Sequence, residues 1–175
     1  MADDRTTAYA EALFAVARAE GPLAEIEDEL FRVAQVLRGN DELRDTLADP
    51  HVPVTTRQQV VIDLLGGKAQ PATTSLVSMV VGTGRIRELP AIVDELVAMA
   101  AREANKEVAE VRSAIALTDD QKTRLAEALG RATGKAVEVK VILDPSVKGG
   151  LVAQVGDTVI DGSIRRRLDQ LKHAL

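Results

Sequence analysis

Cysteine is absent from the 175 residues, which excludes disulfides, thiolate metal sites, iron–sulfur clusters and cysteine nucleophiles. Tryptophan is absent too, and one Tyr with two Phe leaves no aromatic platform on which bases or sugars could stack. Histidine is reduced to His51 and His173, which closes off much acid–base and metal chemistry. No apolar run reaches the ~18 residues of a membrane span. Met1 to Ala10 has neither a signal peptide's apolar stretch nor a transit peptide's basic, acid-poor composition. These absences predict a protein of the cytoplasmic side, soluble on its own and not inserted in a membrane.

What the chain does have is aliphatic: 26 Ala, 21 Val, 19 Leu and 8 Ile within an apolar share of 46%. The length is enough to bury about two-thirds of the unfolded surface, so a fine-grained core is expected. Lys and Arg total 22 against 27 Asp and Glu, a net charge of −5 that disfavours attraction to phosphate backbones or anionic lipid. The asymmetry is local, because residues 1–50 hold 12 acids and 5 bases and the basic charge collects toward the C-terminus.

The first hundred residues read as helices separated by strong punctuation. Thr6 to Ala19 is closed by Gly21-Pro22, and the next helix carries Leu23, Ile26, Leu30, Val33 and Leu37 at alternating steps of three and four, ending at Gly39-Asn40. Asp41 to Ala48 is a short third helix, broken by Asp49-Pro50 and Pro53. Thr55 and Gln58 form a capping box for a fourth, which carries Val61 and Leu64 and stops at Gly66-Gly67. Pro71 opens a fifth and Pro90 a sixth, the latter with Ile92, Leu96 and Met99 on one face. Six helices with short connectors predict an all-α six-helix bundle over residues 1–106.

After Glu107 the apolar period changes from 3.6 to 2, which marks a domain boundary. Val111, Ser113, Ile115 and Leu117 alternate as one strand; Thr118 to Gln121 is a capping box for a helix through Leu125 and Leu129 to Gly134. Val137 to Leu143 and Leu151 to Val155 follow as strands, and Gly156-Asp157 fits a two-residue hairpin turn into Thr158 to Asp161. Ser163 then caps a last helix with Ile164, Leu168, Leu171 and Leu175 on one face. Residues 107–175 are thus predicted to form a small α+β domain.

Motifs that invite chemistry fail on inspection. Gly66-Gly67-Lys68 lacks the phosphate-loop glycine at Ile62 and the hydroxyl at Ala69, and Gly82-Thr83-Gly84 has Arg87 at the third glycine position of a dinucleotide fingerprint. Both read as helix ends. His51 and His173 have no partner motif, and Arg165-Arg166-Arg167 reads as a solvated face opposite Ile164 and Leu168. A nucleic-acid module built on those arginines and a small helical enzyme are the rival readings; the first conflicts with the acidic balance and the second has no nucleophile–base pair. No catalytic, cofactor-binding or metal-ligating residue is expected.

Surplus apolar surface is the positive signal. Between Thr7 and Ala19 the charged side chains are Glu11 and Arg18, with Tyr9, Leu13 and Val16 on one flank and Ala10, Phe14 and Ala17 on another. From Ala69 to Gly84 there is no charge at all. Such a fifth helix is either fully enclosed by its neighbours or has one face in the core and one exposed. In the second case it forms, with the first helix, a small-residue groove for a partner's amphipathic helix, with Ala8 and Ala12 permitting close approach.

The segment from Asp144-Pro145 through Gly149-Gly150-Leu151-Val152-Ala153-Gln154-Val155-Gly156-Asp157 to Asp161-Gly162-Ser163-Ile164, followed by Arg167-Leu168 and Leu171, resembles the C-terminal signature of the delta subunit of F-type ATP synthases, the oligomycin-sensitivity-conferring protein family. Tyr9-Ala10-Glu11-Ala12-Leu13-Phe14 is similar to that family's opening helix, and Gly84-Arg85-Ile86 with Leu89-Pro90 to its fifth-to-sixth helix junction. The resemblance implies a non-catalytic peripheral-stalk subunit on the cytoplasmic face of a bacterial plasma membrane. Its N-terminal domain would hold the N-terminal helices of alpha subunits between the first and fifth helices, and its C-terminal domain would engage the C-terminal helices of the b subunits. Carried onto this chain, the alpha contact falls on Tyr9, Ala12, Leu13, Val16, Leu76, Met79 and Val80. Gly149, Gly150, Asp157, Asp161 and Ser163 become turn and cap residues. No cofactor and no nucleic acid are implied.

Overall fold

The computed structural model describes residues 2–147, 149–156 and 158–161, and these are mostly helical, with seven helices and a four-stranded sheet. The chain divides into two compact units, Met1–Ala100 and Ala101–Leu175.

In the first unit, α1 (Ala2–Glu20) and α2 (Leu23–Gly39) are separated by the predicted Gly21-Pro22 break. The α2 stripe buries Ile26, Leu30 and Leu37, with Phe31 and Ala34 beside it. α3 (Asp41–Ala48) starts at Asn40, whose side chain accepts from the Leu43 N–H at 2.9 Å. α4 (Val54–Leu65) begins two residues earlier than the Thr55–Gln58 box requires. Pro53 is its N-cap, no side-chain cap forms, and the Gln58 amide instead donates to the Ser78 carbonyl at 3.0 Å. The expected box is therefore replaced by a tie between α4 and α5 (Pro71–Gly82), which opens on its proline as expected. α6 (Leu89–Glu103) buries Leu89, Ile92, Val93, Leu96 and Val97, and is the most thoroughly enclosed helix of the unit. Arg38 at the end of α2 holds the start of α6, pairing with Asp94 and donating to the Pro90 carbonyl at 3.2 Å.

The second unit is a sheet of order β2-β1-β3-β4, formed by β1 (Glu107–Ser113), β2 (Val137–Leu143), β3 (Leu151–Val155) and β4 (Thr158–Asp161). β1 and β2 are parallel, with α7 (Asp119–Thr133) as the crossover; β1–β3 and β3–β4 are antiparallel. The Thr118–Gln121 capping box is complete, and Gly134 ends α7 in the left-handed region. Ala109, Val111, Leu129, Val137, Ala153 and Val155 form the core.

The place expected for the first strand is corrected here. The first strand lies four residues upstream of the Val111–Leu117 alternation: it pairs with β2 from Glu107 to Ser113, and Ile115, 68% exposed, falls in the loop. Ala109 is too weakly apolar to reveal the true inward set, whereas Ile115 and Leu117 prolong the pattern past the strand's end. On β2, alternation would turn Lys140 to water, yet it is only 3% exposed and its Nζ lies 2.9 Å from Glu138 Oε1. The helix expected after Ser163 lies outside the described residues.

Where the chain leaves α6, Asn105 takes φ +54°, the Asn105 N–H donates to Arg102 O at 3.0 Å and the Lys106 N–H to Ala101 O at 2.8 Å, a Schellman ending. Asn105→Val forces a β-branched residue into that region and is expected to cost about 1–2 kcal/mol, while Asn105→Gly keeps stability or raises it slightly. Urea unfolding of the two variants beside wild type checks this ordering.

Candidate functional site

α1 is a helix of alanines on both sides. Ala10, Leu13 and Ala17 are buried at i, i+3 and i+7, while Ala8, Ala12, Ala15 and Val16 are exposed. α1 packs on α2 and on α5. Alanine has the highest helix propensity and lets neighbours come close, so the sequence can form this helix without committing either face to bulky packing.

α5 carries no charge and has no side-chain cap of its own at Gln70. Its N-terminus is finished from α2: Glu29 Oε2 accepts from the Gln70 N–H at 2.9 Å and from the Thr73 hydroxyl at 2.5 Å. A carboxylate there satisfies an orphan donor and complements the helix dipole. Thr73, Leu76, Val77, Val80 and Val81 point inward, whereas Ser75, Met79 and Gly82 form an exposed line at helical spacing. The fully enclosed alternative for this helix is therefore excluded.

Of the seven residues assigned to partner contact, six separate into two groups and Tyr9 stands between them. Leu13, Leu76 and Val80 lie in the unit's own core. Ala12, Val16 and Met79 face solvent, Val16 at 40% and Met79 at 43% exposure, so each helix offers an apolar side chain to water. Tyr9 is half-buried, with the Arg85 guanidinium 4.8 Å from its ring centroid. A Schellman turn sets that stack: Gly84 has φ +73°, its N–H donates to Val81 O at 3.0 Å, and the Arg85 N–H donates to Val80 O at 3.1 Å. Arg85 also pairs with Glu88 at 2.7 Å, and that hydrogen bond raises the guanidinium's pKa further above its ordinary value.

Elsewhere the glycine motifs end helices. Gly66-Gly67 closes α4, with Gly67 at φ +70°. Gly149 and Gly150 take φ +69° and +76° between β2 and β3, a turn closed to other residues without strain. Asp161 ends β4, whereas Asp157, Ser163, Arg165 to Arg167 and His173 lie outside the described residues. His51 is exposed and its Nδ1 lies 3.0 Å from Asp49 Oδ1. The Asp49 carboxyl is held below its usual range chiefly by the hydrogen bond from the His51 backbone N–H. Arg57 carries no signal in the sequence: it is buried, and donates to Val52 O and Leu47 O, both at 3.1 Å, fastening the loop between α3 and α4. No local pattern distinguishes it from a solvated arginine.

The family described as ATP synthase delta (OSCP) subunit has a model that matches residues 6–175. The protein named ATP synthase subunit delta of Nocardia farcinica is 44% identical over 165 residues, which cover 94% of this chain and 61% of that protein. Its namesake in Kineococcus radiotolerans is 42% identical, over 91% of this chain and 58% of that protein. The chain thus spans about three-fifths of the length of these relatives. The ATP synthase subunit delta of Desulforudis audaxviator is 36% identical over 95% of this chain and 92% of its own length. Among solved structures, a chain in the cryo-EM structure of the Toxoplasma gondii mitochondrial ATP synthase hexamer is similar over 97% of this chain and 96% of that chain, with TM-score 0.58 and 25% identity. On the family match from residue 6 to residue 175, and on a relative it covers almost end to end, this chain belongs to the ATP synthase delta (OSCP) subunit family.

Proposed function

We propose that this chain is a non-catalytic peripheral-stalk subunit of a proton-translocating F-type ATP synthase, held on the cytoplasmic face of a bacterial plasma membrane as part of that complex. The observation that carries the reading is the end-to-end family membership. No described helix is long and apolar enough to cross a membrane, which agrees with attachment through partners.

In this reading, α1 to α6 form a bundle over residues 1–106 that binds the catalytic head, and residues 107–175 bind the C-terminal helices of the stalk's b subunits. The N-terminal helix of an alpha subunit lies against α1 and α5. Ala12, Val16, Met79 and the Tyr9 ring touch it directly, while Leu13, Leu76 and Val80 support the groove from behind. What favours this choice is that two packed helices leave apolar and small side chains in water along one line each. Gly149, Gly150, Asp157, Asp161 and Ser163 shape the turns and cap of the second domain.

The mechanism is mechanical. A rotor turning inside the head exerts torque on it, and an unanchored head would turn with the rotor, leaving proton flow uncoupled from ATP. The anchor needs affinity and stiffness rather than a reacting group, through contacts on the order of 1,000 Å² or more each.

Membrane-extracted ATP synthase is expected to carry this chain, and its deletion to leave ATP hydrolysis by the head without proton pumping; intact coupling in the deletion strain overturns the reading. Ala12→Asp is expected to keep the fold, since Ala12 is exposed, and to weaken binding of a peptide from the N-terminus of the alpha subunit by about 2 kcal/mol, roughly thirty-fold. Calorimetric titration measures this, and unchanged affinity removes Ala12 from the contact. Leu76→Ala is expected to act the other way, lowering stability by about 2–4 kcal/mol through a core cavity, as read from its melting curve. Because the chain has one Tyr and no Trp, its tyrosine fluorescence comes from Tyr9 and should change as the peptide binds.

A further inference from the structure

The first unit holds a second apolar feature to which α1 contributes nothing. A half-open cleft of about 320 Å³ lies among α2, α3 and α4, with Val77 of α5 and Ile86 also in its lining and Leu37, Leu47 and Val61, all nearly inaccessible, among its walls. Val36 and Leu64, both substantially exposed, line it as well. Soluble helices rarely leave such side chains in water around a cavity.

The shape of the cleft selects the kind of guest. Its volume lies at the lower end of the range of small-ligand pockets, about 300–1,000 Å³. Its lining is apolar apart from three charged residues, which suits the hydrocarbon chain of an amphiphile.

Its polar residues select the head group. Three charged residues line the cleft: Glu29, Arg32 and Lys68. Glu29 is already committed to Gln70 and Thr73 at the start of α5. Arg32 reaches only the Asp28 carbonyl, through Nε at 3.4 Å, and Lys68 has no ion pair among the described residues. Both cations are exposed, so they stand where the lining meets solvent. We propose that this cleft binds a single-chain anionic amphiphile, a medium- to long-chain fatty carboxylate, with the acyl chain between α2 and α4 and the carboxylate on Arg32 and Lys68. None of its lining residues is among those assigned to the alpha-subunit contact, and the site does not depend on the stalk reading.

The test is calorimetric titration of the full chain with hexanoate, octanoate, decanoate and dodecanoate, and with decanol. Affinity is expected to rise by up to about four-fold per methylene and to level off once the chain outgrows the cleft. The double variant Arg32→Gln/Lys68→Gln, at two exposed positions, is expected to bind decanoate at least ten-fold more weakly and decanol as wild type does. Methyl NMR shifts are expected at Val36, Leu43 and Leu64, with Tyr9 fluorescence unchanged. No saturable decanoate binding, equal loss of decanol binding in a folded double variant, or a Tyr9 response with no shift at those methyls each overturns the proposal.

Discussion

Alanine buries little surface of its own but lets helices lie close together, and α1 rests on that compromise. Its inward line is Ala10, Leu13 and Ala17, so one leucine carries most of the apolar burial and the alanines set the spacing. With almost no aromatics in the chain, distance rather than bulk does the work of packing. The same choice on the outer face leaves Ala8, Ala12 and Ala15 exposed without making α1 sticky enough to aggregate. A helix that serves its own core while its other face stays in water needs both properties.

The remaining specificity comes from a few polar fasteners between helices distant in sequence. Glu29 completes the first turn of α5, Gln58 ties α4 to Ser78, Arg57 gathers two carbonyls of the α3–α4 loop, and Arg38 holds the start of α6. Glu29 and Arg57 meet backbone groups that a helix start and a loop leave unsatisfied, while Gln58 and Arg38 donate to carbonyls inside α5 and at the start of α6. An aliphatic core alone would permit several helix registers, and these contacts discriminate among them.

Such fasteners explain what could be read from the chain and what could not. Boundaries marked by Gly21-Pro22, Asn40, Pro71, Thr118–Gln121 and Gly134 are local chemistry, and they appear where the residues indicate. The strands β2, β3 and β4 are equally legible from alternation and turn residues. The misplacement of β1 arises because register belongs to the pair: Ala109 is inward by virtue of Val139 and Val155 beside it, which no window around Ala109 contains. Thr55 and Gln58 fail as a box because Ser78, twenty residues away, offers the amide a carbonyl. In the candidate site, an apolar surplus on two helices is visible, but the division of Leu13, Leu76 and Val80 from Ala12, Val16 and Met79 depends on where α2, α4 and α6 lie.

The turn at Gly84 bears on how this surface can change over time. Along α1 and α5 the exposed residues are small or flexible, and exchanging Ala15 for Ser or Met79 for Leu disturbs no backbone. At Gly84 the φ of +73° admits a side chain only with strain, although no neighbouring atom occupies the space. Sequence drift is thus steered by geometry: the exposed flank is free to wander, while the pivot that aims Arg85 at Tyr9 stays put.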